Sequence, residues 1–151
     1  MQNHKMAQSM TPLQQFLQFY NGLSSNNLAS LHQLYHPEVV FIDPVHTVKG
    51  SDALQQYFTH AYARLSHCHF DAKTQCQQGD SGFISWQMQF AHQAIGRGKL
   101  ITLDGCTELG WHADGRIVFH RDYYDLTDLI YRHLPILGWA TAQVKRRMAN
   151  D

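Results

Sequence analysis

Three turn signals, Gly79-Asp80-Ser81-Gly82, Gly96-Arg97-Gly98 and Ala113-Asp114-Gly115, cut the stretch from His67 to Asp125 into four segments of alternating character. Nothing else in the chain constrains the fold as much. Glycine supplies the positive φ, and aspartate the local hydrogen bonding, that let an antiparallel chain reverse. Four strands joined as hairpins are therefore predicted.

The sequence before them has a different period. Thr11 and Pro12 suit an N-cap and a first helical position, and Leu13, Phe16, Leu17 and Tyr20 then recur at helical spacing to about Gly22. A polar break, Ser24 to Asn27, precedes a second apolar stripe of Leu28, Leu31, Leu34 and Tyr35 that Pro37 ends. Val39 to Asp43 is β-branched and aromatic, hence a strand, and Pro44 stops it with Asp43 at its exit. Ser51-Asp52 caps a third helix with Leu54, Tyr57, Phe58, Ala61, Tyr62 and Leu65 on its buried face. After Asp125, Leu126, Leu129, Ile130 and Leu134 are helical in spacing, Pro135 interrupts, and Trp139, Val144 and Met148 belong to a last helix tipped by Lys145, Arg146 and Arg147. Three helices followed by a curved antiparallel sheet make an α+β fold.

The chain has 151 residues, 44% of them hydrophobic, enough for one domain with its own core. The organisation expected is a flexible tail over 1–10, a domain over 11–134 and a helical extension of it over 135–151. Twelve basic side chains balance twelve acidic ones, so no broad positive field exists to hold nucleic acid or an anionic membrane. The polar N-terminus and the lack of a long apolar run point to a cytoplasmic protein without a membrane span. Cys68, Cys76 and Cys106 are odd in number and lack CxxC spacing, which speaks against a disulfide framework or a zinc ribbon. His67 and His69 would share a strand face, yet two imidazoles without located partners do not make a metal site, and no metal or cofactor is expected.

Candidate chemistry gathers where strands run out. In Gly115 to Asp125 an apolar strand gives way to Arg121-Asp122-Tyr123-Tyr124, setting Asp122 at the inner end of a pocket. Asp43 stands at the exit of the first strand. If the two carboxylates lie close they cannot both ionise cheaply, so one can serve as acid and the other as base. His120 falls two residues before Asp122 on the same face and can be its hydrogen-bond partner.

Taken together, Tyr35 to Pro44, the helix entered at Gly50, and Gly115 to Asp125 resemble the nuclear transport factor 2-like superfamily. Its bacterial branch comprises SnoaL-like cyclases, ketosteroid isomerases and limonene-type epoxide hydrolases. The resemblance runs from Thr11 to Leu134 and implies a cone in which a bent sheet wraps an apolar cavity closed by helices. It implies that Asp43 matches the isomerases' general base. Their tyrosine falls on Phe19, with Tyr20 one residue away, and their second acid near Thr107. Asp122 matches the hydrolases' water-activating aspartate, while their arginine and second aspartate fall on Gln87 and Gln89. Both catalytic sets are thus incomplete.

The resemblance implies a small-molecule pocket protein, either an isomerase, cyclase or hydrolase using aspartate acid–base chemistry on an apolar ligand, or a non-catalytic binding or accessory homodimer. Tyr20, Leu23, Phe41, Val118 and Tyr124 would line the cavity beside Gln87, Gln89 and His120. Phe83 to His92 has two readings. Alternation alone turns Ile84, Trp86, Met88 and Phe90 toward the helices and the glutamines toward water. The resemblance reverses this, and an outward Trp86, Met88 and Phe90 would be a patch for a homodimer to bury.

Overall fold

The computed structural model describes residues 9–129 and 135–150. Helix α1 (Pro12–Gly22) starts with a capping box in which Thr11 Oγ1 accepts the Gln14 N–H at 3.2 Å and Gln14 Oε1 accepts the Thr11 N–H at 2.9 Å. Such a cap is worth about 1 kcal/mol. Leu13, Phe16 and Tyr20 are its buried residues, one stripe at helical spacing.

The second predicted helix is shorter than its apolar stripe. A 3-10 turn (Leu28–Ser30) leads into α2 (Leu31–Leu34), and strand β1 (Tyr35–Ile42) already begins at Tyr35. Pro37 therefore lies inside a strand. It falls between Tyr35, paired with Ile117, and Val40, paired with Phe119, where the register shifts, so its missing N–H breaks no ladder there. Strand β2 (Thr47–Lys49) pairs antiparallel with the end of β1, and three residues are too few to show alternation in sequence. Helix α3 (Ser51–Tyr62) follows from Gly50, whose φ of 92° suits glycine.

The four predicted strands are present as β3 (Leu65–Gln78), β4 (Ser81–His92), β5 (Ile101–Trp111) and β6 (Ile117–Tyr124). The sheet order is β2-β1-β6-β5-β4-β3, antiparallel except for the β1–β6 pair. Short α4 (Leu126–Leu129) and α5 (Pro135–Asn150) complete the described chain; Ile130 and Leu134 lie outside the described residues. Lys145 Nζ ties α5 to Asp125 at 2.5 Å. No helix among the described residues is long and apolar enough to cross a membrane.

The faces of β4 correct the reading taken from the resemblance. Trp86 and Phe90 are 4% and 3% exposed and join a core with Phe16, Phe41, Leu54 and Phe58. Gln87 lies on the other face, where its Nε2 donates to Asp104 Oδ1 at 3.1 Å. Gln89 shares that face by alternation and pairs in register with Thr102. The apolar side of the strand meets the helices because burial of Trp86, Met88 and Phe90 outweighs that of two amides needing partners. No outward stripe of these three residues exists, and the homodimer surface built on it falls away.

Gly105 makes this packing possible. It sits opposite Trp86 on β5, and a Cβ added there would come within 2.2 Å of the indole ring. The missing side chain is the space the indole occupies.

Candidate functional site

The concave face of the sheet and α3 enclose a cavity of about 290 Å³, near the lower end of the range for small-molecule sites. Its body is apolar, with Phe58 and Tyr62 from α3, Phe70 from β3, and Trp86, Met88 and Phe90 from β4. Polar groups gather from other elements: Tyr20 from α1, Asp43 after β1, Tyr57 from α3, and Asp122 and Tyr124 from β6.

The two aspartates have different surroundings. Asp43 Oδ1 accepts the backbone N–H groups of Val45 and His46 at 2.8 and 2.6 Å, and the Tyr57 hydroxyl donates to Oδ2. His46 Nδ1 stands 3.4 Å from Oδ1. Both oxygens of Asp43 are thereby engaged in closing the Pro44-Val45-His46 turn and fixing Tyr57. Asp122 instead takes both its described bonds on Oδ1, from Thr107 Oγ1 at 2.6 Å and from His120 Nε2 at 2.8 Å. Oδ2 is left as the oxygen available to the cavity.

Behind Asp122 the hydrogen bonds continue through the core. His120, 1% exposed, has Nδ1 2.7 Å from the Tyr35 hydroxyl, and that hydroxyl is 2.5 Å from the hydroxyl of Tyr20. On the other side Trp86 Nε1 donates to Thr107 Oγ1 at 2.8 Å. Phe16 and Phe41 pack on the imidazole with ring centroids 5.5 and 4.7 Å away. A polar chain this deep is tolerable because its members pair with one another.

The field at the polar end is negative. Burial, followed by the charges of Asp43 and Asp122, holds the Tyr124 hydroxyl well above its ordinary range. For Tyr57 burial comes first, then the hydrogen bond to Asp43. Asp43 and Asp122 line the same cavity, and the charges of both contribute to raising these two hydroxyls. On the apolar wall burial pushes the Cys68 thiol up to about 11.

Of the residues expected from sequence, Asp43, Asp122, Tyr20 and Tyr124 line this cavity, and His120 stands directly behind Asp122 as its partner. The others do not line it. Leu23 borders a smaller pocket of about 140 Å³ with Ser24 and Ser25, because α1 ends at Gly22. Phe41 is core, its ring 5.5 Å from that of Tyr57. Val118 falls at the shift where Phe119 pairs with Gly110 and Ile117 with Trp111, which breaks the alternation that would have turned it inward. Gln87 and Gln89 lie on the opposite face of the sheet. Sequence reasoning missed Tyr35, counted as the end of a helical stripe, and the linking hydroxyl of Thr107. It also left Tyr57, Tyr62 and Phe58 as plain core, although their helical stripe was the available signal.

Among the described residues one group elsewhere has metal-ligand character: His36, His112 and Asp114 bring their ligand atoms within 4.8 Å of one another. Arg116 grips Asp114 Oδ2 through Nε and Nη2 at 3.0 and 2.8 Å, setting a positive charge where a cation would have to bind.

The model of the SnoaL-like domain matches residues 16–120. Among solved structures of similar fold, a protein with a ketosteroid isomerase-like fold from Catenulispora acidiphila, in complex with trimethylamine, is 15% identical with a TM-score of 0.68, covering 83% of this chain and 92% of its own. TerC, co-crystallised with polyporic acid, is 19% identical with a TM-score of 0.66, over 79% and 95% of the two chains. A protein provisionally named a SnoaL-like polyketide cyclase, from Jannaschia sp. CCS1, is 14% identical with a TM-score of 0.66, over 81% and 94%. No curated protein matches this chain. At such identities the structural likeness is one of fold, and the family follows from the sequence match over more than half of the length: the chain belongs to the SnoaL-like domain family.

Proposed function

We propose that this protein binds a small, largely apolar molecule in the cavity and moves a proton on it with Asp122 as general base, an isomerase- or cyclase-type reaction that draws on no cofactor. The observation that carries this reading is the asymmetry of the carboxylates. Asp43 has both oxygens engaged by its own turn and by Tyr57, whereas Asp122 is held on one oxygen by Thr107 and His120. A base needs one oxygen open to the cavity and neighbours that hold the carboxylate still; Thr107 and His120 hold Oδ1 of Asp122, and Oδ2 is left to the cavity. The epoxide-hydrolase variant is the weaker one, since Gln87 lies on the far side of the sheet and cannot assist Asp122.

The fold of two small-molecule complexes, those with trimethylamine and polyporic acid, supports ligand binding as the general use of such a cavity. A cytoplasmic setting, suggested by the unpaired cysteines, belongs to the same proposal. A second reading, a binding or accessory protein without turnover, is favoured by the engagement of Asp43, which uses up the carboxylate at the isomerase base position.

The test is α-hydrogen exchange of a bicyclic ketone, 2-tetralone, in D₂O, followed by proton NMR. Wild type should accelerate the exchange and Asp122→Asn should lower that acceleration by about 100-fold or more, with Gln87→Ala unchanged. Saturable binding without accelerated exchange, across a panel of such ketones, would leave the binding-protein reading in its place.

A further inference from the structure

The hydrogen bonds behind Asp122 have only one self-consistent direction for each charge state of His120. Trp86 Nε1 can only donate, so Thr107 Oγ1 accepts from it and spends its own proton on Asp122. Asp122 as a carboxylate can only accept, so His120 Nε2 carries a proton. In a neutral imidazole Nδ1 is then a bare acceptor, Tyr35 must donate to it, and Tyr20 must donate to Tyr35. Burial holds both hydroxyls well above their ordinary range, so each keeps one proton and no more. Tyr20 therefore shows the cavity lone pairs alone.

A proton on Nδ1 reverses the two links beyond the ring and leaves those to Asp122 as they are. The imidazolium donates to Tyr35, Tyr35 donates to Tyr20, and the Tyr20 O–H turns toward the cavity as a donor. The structure thus assigns to His120 the role of a polarity switch: acting through Tyr35, it sets Tyr20 as an acceptor toward the ligand when neutral and as a donor when charged. The groups around the ring are Tyr35 on β1, Tyr20 on α1 and Asp122 on β6, with Phe16 and Phe41 as apolar walls.

This rests on the cavity being the ligand site, and it deepens that reading. With His120 charged and Asp122 ionised, a bound ketone meets a base at its C–H and a donor at its oxygen. The C–H bond breaks, its proton goes to Asp122, and the electron pair moves to the oxygen that Tyr20 hydrogen-bonds. The reverse movement restores the site, and no further reactant is consumed. Tyr20 is the contacting residue; His120 and Tyr35 are positioning residues.

The experiment uses the full chain with ¹⁵N-labelled histidine, the His120 signals being identified by their loss in His120→Gln. Long-range proton–nitrogen spectra from pH 5 to pH 9 should show, at the alkaline end, protonated Nε2 and bare Nδ1, with Nδ1 moving toward the position of an unbonded nitrogen in Tyr35→Phe. The switch requires a second state, at the acid end, in which both nitrogens are protonated. A neutral His120 protonated on Nδ1 would overturn the direction of the chain, and a His120 that stays neutral throughout would overturn the switch.

Binding supplies a second readout that needs no turnover. The probes are 2-naphthol, which donates and accepts, and 2-methoxynaphthalene, which only accepts. The preference for 2-naphthol should shrink by about fivefold as His120 becomes charged, the worth of one hydrogen bond, and should not vary with pH in Tyr20→Phe. A preference independent of pH in wild type, or equally dependent in Tyr20→Phe, contradicts the inference. Loss of ketone exchange with these results intact would instead count against Asp122 as base.

Discussion

Thr107 offers the sharpest test of how the site is held. Its hydroxyl is the sole described acceptor of the buried Trp86 indole N–H and one of two described donors to Asp122, and the residue is 2% exposed. Thr107→Val keeps the shape and the β-branched preference for a strand while deleting that oxygen. An orphaned buried N–H costs about 1–3 kcal/mol, and the lost bond to a carboxylate that is partly exposed and still held by His120 adds about 1 kcal/mol. The expected loss is about 2–4 kcal/mol. Thr107→Ser keeps the hydroxyl and removes one methyl, worth about 1 kcal/mol. Urea unfolding followed by far-ultraviolet circular dichroism, with m unchanged, compares the two. If Thr107→Ser costs as much as Thr107→Val, the hydroxyl does not hold Trp86 and Asp122 as described.

Three further outcomes follow from the same geometry. Gly105→Ala should destabilise the fold by about 1–3 kcal/mol, because the new methyl group falls within 2.2 Å of the Trp86 ring; a neutral effect in thermal unfolding would mean that the indole can lie elsewhere. Trp86→Ala should cost about 3–5 kcal/mol and Gln87→Ala no more than about 0.5 kcal/mol, and the opposite order would reinstate the rejected assignment of faces. Iodoacetamide should label exposed Cys76 first at pH 8. Cys68, whose thiol is raised from 9.0 to about 11, should have about 100-fold less thiolate than an ordinary thiol, so its labelling should climb steeply above pH 10. Rapid labelling of Cys68 at pH 8 would show that the cavity wall is wetter than described.

Much of this was legible in the sequence because it depends on local rules. Thr11 and Pro12 mark the start of α1, and the three turn signals delimit β3 to β6. The spacing of His120 and Asp122 places them on one face, and they are indeed bonded. What depends on long-range packing was harder to read. Tyr35 continues a helical stripe by spacing but is claimed by a parallel pairing with a strand more than eighty residues later. The inward Trp86 is legible from alternation alone, whereas the face implied by the resemblance is the wrong one. The roles of Thr107 and Gly105 appear only when β4, β5 and β6 lie side by side, since neither has a local pattern of its own.

The central claim, that Asp122 and not Asp43 meets the ligand, is tested most directly by a crystal structure of the protein with 2-naphthol in the cavity. The account predicts the naphthol oxygen within about 2.6–3.2 Å of Asp122 Oδ2 or of the Tyr20 hydroxyl, the rings packed against Trp86 and Phe90, and the hydrogen bonds of Asp43 to Val45, His46 and Tyr57 intact. A naphthol oxygen bound to Asp43 with that turn opened, or a ligand seated outside the cavity, would contradict it.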